Sequence, residues 1–251
     1  MRIVPSSYTK RALIIPDCHI PYQDEAAYNL MLRVAKDFRP NEVVILGDFA
    51  DFYSVNLHGK SPNQEHILNN EIIEVNKKLG ELSMLFKKAR KVFIVGNHEH
   101  RLERYIEQKA PELFNTTTLE KILSLKSFKV VPYSPNQKYN VLGTKLIARH
   151  EPLAGGNYAA RSTVAKAMKS VIFGHIHSIQ EHQVVTIDGE NHRGISCGWL
   201  GDSSHKVMQY VKGHHQWTHG FSLVTVHDGD FFNETVHIIN GKCRANGRIY
   251  S

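Results

Sequence analysis

At 251 residues the chain is long enough to bury a sizeable core as one domain. Its 41% hydrophobic and 22% charged residues exclude a disordered or fibrous protein, and no apolar run approaches the roughly 20 residues of a spanning helix. A formal charge of +7 suits an anionic partner such as a nucleotide or nucleic acid, although Lys and Arg also simply solvate surfaces.

The first apolar run, Ala12 to Ile15, predicts a strand and is followed by Pro16, Asp17, Cys18 and His19. Asp24 fits an N-cap for a helix through Lys36, with Ala27, Leu30, Met31, Val34 and Phe38 as its apolar stripe. Val43 to Leu46 is the second strand and runs into Gly47, Asp48, Phe49, Ala50 and Asp51. A long helical pattern covers Gln64 to Lys88, and Val92 to Val95 then predicts a third strand before Gly96, Asn97, His98 and Glu99. Arg101 to Gln108 and Leu119 to Leu125 read as shorter helices. Lys145 to Ala148 is the fourth strand, ahead of Arg149 and His150, and Tyr158 to Met168 is helical. Val171 to Phe173 is the fifth, ahead of Gly174, His175, Ile176 and His177. Beyond Ile179 the texture changes to alternating strands with turns at Asp188-Gly189 and Asp228-Gly229, the latter between Phe221–His227 and Phe231–Ile239. Residues 241–251 read as a loose basic tail. The pattern is that of a single α/β domain over 1–251, with its core at about 11–240.

Three scattered cysteines, Cys18, Cys197 and Cys243, form neither a disulfide framework nor a thiolate zinc site. The N-terminus lacks the apolar stretch of a secretory signal, so a cytoplasmic location without membrane contact is expected.

Each of the five strands empties into residue types that bind metals, usually across a glycine. The carboxyl ends of strands form the ligand-binding edge of an open α/β sheet, so five segments deliver these side chains to one crevice. His175 and His177, read as part of an extended segment, point the same way and can share a site. Burying so many titratable groups together is expensive unless a cation pairs with them. Asp17, His19, Asp48, Asn97, His150, His175 and His177 are too many donors for one ion that must also hold substrate. If Asp48 bridges, they give four protein bonds to each of two ions, with positions left for water and phosphate oxygens. Oxygen and imidazole donors without thiolate suit Mn(II), Fe or Zn(II).

In order and spacing, Asp17-x-His19, Gly47-Asp48-x-x-Asp51, Gly96-Asn97-His98-Glu99, His150 and Gly174-His175-x-His177 resemble the motifs of the calcineurin-like metallophosphoesterases. The resemblance spans about residues 11–240. It implies a four-layer αββα sandwich, mixed sheets flanked by helices, around a dinuclear metal centre. It further implies one ion on Asp17, His19, Asp48 and His177 and another on Asp48, Asn97, His150 and His175, with a hydroxide between them attacking phosphorus. His98 would contact the phosphate and protonate the leaving oxygen, with Asp51 orienting its ring.

Two positions depart from the family pattern. Phe52 stands where many relatives, including the Ser/Thr phosphoprotein phosphatases, carry a phosphate-gripping arginine. Glu151-Pro152 follows His150 where glycine is usual, which makes His150 the least secure ligand. The expected function is hydrolysis of a phosphate ester, with a nucleotide or nucleic-acid mono- or diester favoured by the basic charge and the missing arginine. The alternatives are a phosphomonoesterase for a small metabolite or phosphoprotein, and a non-catalytic, metal-containing binding protein on the same fold. Arg101 on the helix after the third motif, and His215 and His219 near Trp217, are candidate substrate contacts, to be weighed against solvated surface and loop positions.

Overall fold

Short β-branched runs form strands where both faces can be covered, and patterns of 3.6-residue period form the helices that cover them. In the computed structural model, which describes residues 9–56, 67–210 and 216–251, the first half of the chain alternates the two. It runs β1 (Lys10–Ile15), α1 (Glu25–Phe38), β2 (Glu42–Ile45), α2 (Leu68–Leu85), β3 (Arg90–Ile94), α3 (Asn97–Lys109), the short α4 (Leu119–Ile122) and β4 (Phe128–Val131). There follow β5 (Tyr139–Asn140), β6 (Ile147–Arg149), α5 (Ala159–Ala167), β7 (Val171–Phe173), β8 (Ile179–Val185) and β9 (Asn191–Cys197). The chain closes with β10 (Gly220–His227), β11 (Asp230–Ile239), β12 (Lys242–Ala245) and β13 (Arg248–Tyr250).

These strands make two sheets. One has the order β13-β12-β11-β10-β1-β2-β3-β4, the other β5-β6-β7-β9-β8. Strands β1 to β4 run parallel, and β10 joins β1 antiparallel. Alternation along each strand sorts the side chains. Leu13, Ile15, Val43, Ile45 and Phe93 pack with Leu30, Val34, Val75 and Leu82 of α1 and α2. Ala12, Ile14, Val44 and Ile94 face the other way and meet Ala148, Ile172 and Ile195 of the second sheet. Ala159 and Ala160 of α5 close the far face against Val171 and Phe173. The result is the four-layer αββα sandwich, with mixed sheets between helices.

Local chemistry sets the boundaries. Asp24 caps α1 by accepting from the Ala27 N–H at 2.9 Å, a contact worth about 1 kcal/mol. Helix α3 starts at Asn97, not Arg101, so Asn97 and His98 occupy its first turn. The described part of the long central helix begins at Leu68; its expected start, Gln64, lies outside the described residues.

The loose tail expected over 241–251 is corrected. Residues 242–250 supply β12 and β13, which extend the first sheet. Asn240-Gly241 and Asn246-Gly247 all have positive φ, the two-residue hairpin turn, and Cys243 and Ala245 are buried. Asp37 of α1 holds the end, accepting from Tyr250 Oη at 3.0 Å and Arg248 Nη1 at 3.3 Å.

Candidate metal centre

The five strand ends meet at one edge of the two sheets, three from the first sheet and two from the second. Loops after β1 and β2 are knitted by backbone bonds from the Cys18 and His19 N–H groups to the Asp48 carbonyl, at 3.0 and 2.9 Å. Two glycines allow the close approach. A Cβ on Gly96 would collide with the Asp48 carboxylate and backbone, and one on Gly174 with the Asp17 carboxylate. His19, Asp48, His175 and His177 all sit at positive φ, from 46° to 69°. Non-glycine residues rarely adopt this conformation, and such strain gathers where a site requires it.

Asp17, His19 and His177 bring their donor atoms within 4.8 Å of one another, as do Asp48, His150 and His175. The Nε2 atoms of His19 and His177 face each other at 3.0 Å, with Asp17 Oδ2 3.2 Å from the latter. Asn97 Oδ1 lies 2.8 Å from His150 Nε2 and 2.9 Å from His175 Nδ1. Asp48 also groups with His19 and His98, so its carboxylate stands between the two sets. Asp17, His19, Asp48 and His150 are at most 1% exposed, whereas His175 is open to solvent.

Residues 10–179 match the family described as calcineurin-like phosphoesterase. The chain belongs to that family. It is also 26% identical to the Gene 54 protein of Mycobacterium phage L5, over 96% of this chain and 99% of that one. The Gene 54 protein of Mycobacterium phage D29 matches at the same identity and coverage. Among solved structures, Vacuolar Protein Sorting 29 from Cryptosporidium parvum aligns with a TM-score of 0.50 at 11% identity. That alignment covers 98% of this chain and all of that one, and speaks for the fold alone.

A calcineurin-like phosphoesterase implies divalent metal ions, and the donor set here fits them. Atoms bound at about 2.0–2.3 Å to one ion lie roughly 3–4 Å apart, close to the spacings within each group. The second imidazole nitrogens are committed elsewhere. His150 Nδ1 donates to the Leu46 carbonyl at 2.9 Å and His19 Nδ1 to Asp51 Oδ2 at 2.8 Å, which leaves each Nε2 lone pair for the centre. The electrostatics agree. Burial raises the Asp48 carboxyl, but the His150, His98 and His19 imidazoles outweigh it and hold Asp48 well below the usual range. Burial opposes charge on His150, yet Asp48, Asp17 and Glu99 push its pKa up to about 10. Burial lowers His177 to about 4, despite Asp17. Charge is thus favoured on His150, where three carboxylates converge, and disfavoured on His177, where burial outweighs Asp17.

Side chains that the sequence singled out less clearly hold this arrangement. Glu99, fully buried, accepts from the backbone N–H groups of Asp48, Ala50 and Gly96 at 2.8–2.9 Å and so locks the second and third loops together. Gln137 accepts from the His150 N–H at 2.8 Å and donates to the Val95 carbonyl at 2.8 Å. Trp199 stacks on the His177 ring at 4.8 Å and 14°, and Trp217 meets the same ring edge-on at 4.5 Å. The place of Glu99 in the third motif and of Trp217 beside His215 and His219 marked those two in the sequence. The Gln137 and Trp199 contacts are long-range, with no local signal.

The remaining candidates divide. The segment after β7 is not extended: Ile176 N–H bonds back to the Gly174 carbonyl at 2.8 Å, and the turn sends His175 and His177 into different groups. Arg101 does reach the centre, with Nη2 3.2 Å from His98 Nε2 and Nη1 3.4 Å from the Asp51 carbonyl. His219 is joined instead to the Gly201 carbonyl at 2.8 Å and packs 5.9 Å from Trp199. His215 lies outside the described residues. Glu151 accepts from the Tyr133 hydroxyl, and His150 is fully buried despite the unusual residues after it. No helix among the described residues is long and apolar enough to cross a membrane.

Proposed function

We propose that this chain is a phosphoesterase that works with two divalent ions, Mn(II) in first place and Fe or Zn(II) as alternatives. Its substrate is a nucleotide or nucleic-acid phosphate ester. The observation that carries this reading is the position of Asp48, within reach of both donor groups. Asp17, His19, Asp48 and His177 would hold one ion, and Asp48, Asn97, His150 and His175 the other. Bound there, the ions supply Lewis acidity toward phosphoryl oxygens and lower the pKa of water. The protein supplies the rest. His98 directs Nδ1 to the Asp51 carbonyl at 2.9 Å, which leaves Nε2 to pass a proton to the departing oxygen. Arg101, beside that Nε2, offers a guanidinium to the phosphoryl oxygens where buried Phe52 offers none. The charge of +7 supports a polyanionic substrate.

Metal-reconstituted protein should hydrolyse bis-p-nitrophenyl phosphate or p-nitrophenyl phosphate, and their ratio separates diesterase from monoesterase. His98→Ala should lower kcat by about 10²- to 10⁴-fold while metal content, measured by mass spectrometry, stays unchanged. Protein loaded with two ions that turns over neither ester would refute the reading and leave a binding role on the same fold.

A further inference from the structure

The family resemblance gives the Asp51 carboxylate to His98, but the distances divide it differently. Asp51 Oδ2 lies 2.8 Å from His19 Nδ1 and 3.3 Å from His98 Nδ1. The better acceptor for His98 Nδ1 is the Asp51 backbone carbonyl, at 2.9 Å. The rings of His19 and His98 cross edge to face at 4.5 Å, so one residue touches both. Carboxylate and imidazole are 2% and 1% exposed, so the bond is shielded from bulk solvent.

We propose that Asp51 is a positioning residue for His19, and that its carboxylate fixes His19 with the proton on Nδ1 and the Nε2 lone pair turned toward the metal-binding group. An ionised carboxylate can only accept, so the bond defines the tautomer. The neutral ring then has one free donor pair, on the nitrogen that faces His177 Nε2 at 3.0 Å. His98 Nδ1 has the backbone carbonyl of Asp51 at 2.9 Å as its nearer acceptor and the carboxylate at 3.3 Å as a second one, so the carboxylate serves both rings and its tighter bond goes to His19. Outer carboxylates of this kind raise the basicity of a ligand imidazole and hold its plane. The inference rests on the proposed metal centre but not on turnover.

The test is a Mn(II) titration, followed by calorimetry, of wild type, His98→Ala and the double variant Asp51→Asn with His98→Ala. With His98 absent, an Asp51 that served only that ring would have no effect. The expected result is a further 10- to 100-fold loss of affinity at one of the two sites in the double variant. Equal affinities in the single and double variants would overturn the assignment. A second measurement needs no variant: long-range nitrogen–proton spectra of metal-free wild type should show His19 protonated on Nδ1, and an Nε2–H form refutes the proposal. Wild type that binds Mn(II) without hydrolysing esters defeats the proposed function alone; wild type that takes up none of Mn(II), Fe(II) and Zn(II) defeats both.

Discussion

The two halves of the centre share Asp48 and differ in what encloses them. Asp17, His19 and His177 lie within an aromatic wall, where Trp199 stacks on His177 and Trp217 packs against both rings. Asn97, His150 and His175 form a half that opens to solvent at His175. Enclosure lowers the local dielectric, so a cation is held more strongly and its ligands move less. This contrast predicts that an ion in the enclosed half exchanges more slowly than one in the open half.

Removing the shared ligand tests whether the halves are linked at all. Asp48→Ala should empty both, whereas His175→Ala and His177→Ala should each leave one ion, as counted by mass spectrometry. During dialysis against EDTA, the ion that remains in His175→Ala should leave more slowly than the one in His177→Ala. Equal rates would abolish the distinction. A smaller effect should follow from Trp199→Ala, which removes a 1% exposed indole from the wall and should destabilise the fold by about 3–5 kcal/mol in urea unfolding. It should also bring the two exchange rates together.

The smallest effect concerns the backing of the aromatic half. Glu71 of α2 is buried and, among the described residues, receives long contacts from the Tyr22 hydroxyl and the Ser54 N–H while its second oxygen has no partner. Burial pushes its pKa up to about 7, with Asp51 adding to the rise and Ser54 opposing it. A carboxyl raised on folding contributes its full stability below its unfolded pKa and loses it as pH climbs through the folded value. Wild type should therefore lose roughly 1 kcal/mol between pH 6 and pH 8 that Glu71→Gln does not lose. Parallel slopes in denaturant titrations at the two pH values would remove Glu71 from the account.

Much of the centre was legible before any coordinates. The seven expected donors fall into two adjacent groups because each follows a strand end, and strand ends are local features that apolar runs reveal. The corrections have equally local causes. The Asn-Gly pairs at 240–241 and 246–247 are hairpin signals within a stretch whose arginines made it look like a tail. The positive φ of His175 and His177 turned an apparent extended segment into a tight turn.

The sequence by itself determined the residue types, their order and the strand that leads into each. Tertiary structure decided which donors share a group, that the Asp51 carboxylate leans toward His19, that Arg101 reaches His98, and that one half lies behind Trp199. Contacts such as Trp199 with His177 or Gln137 with His150 join strand ends that the pairing order of the second sheet brings side by side. Their geometry depends on sub-ångström placement of loops, for which residue type and spacing carry no record.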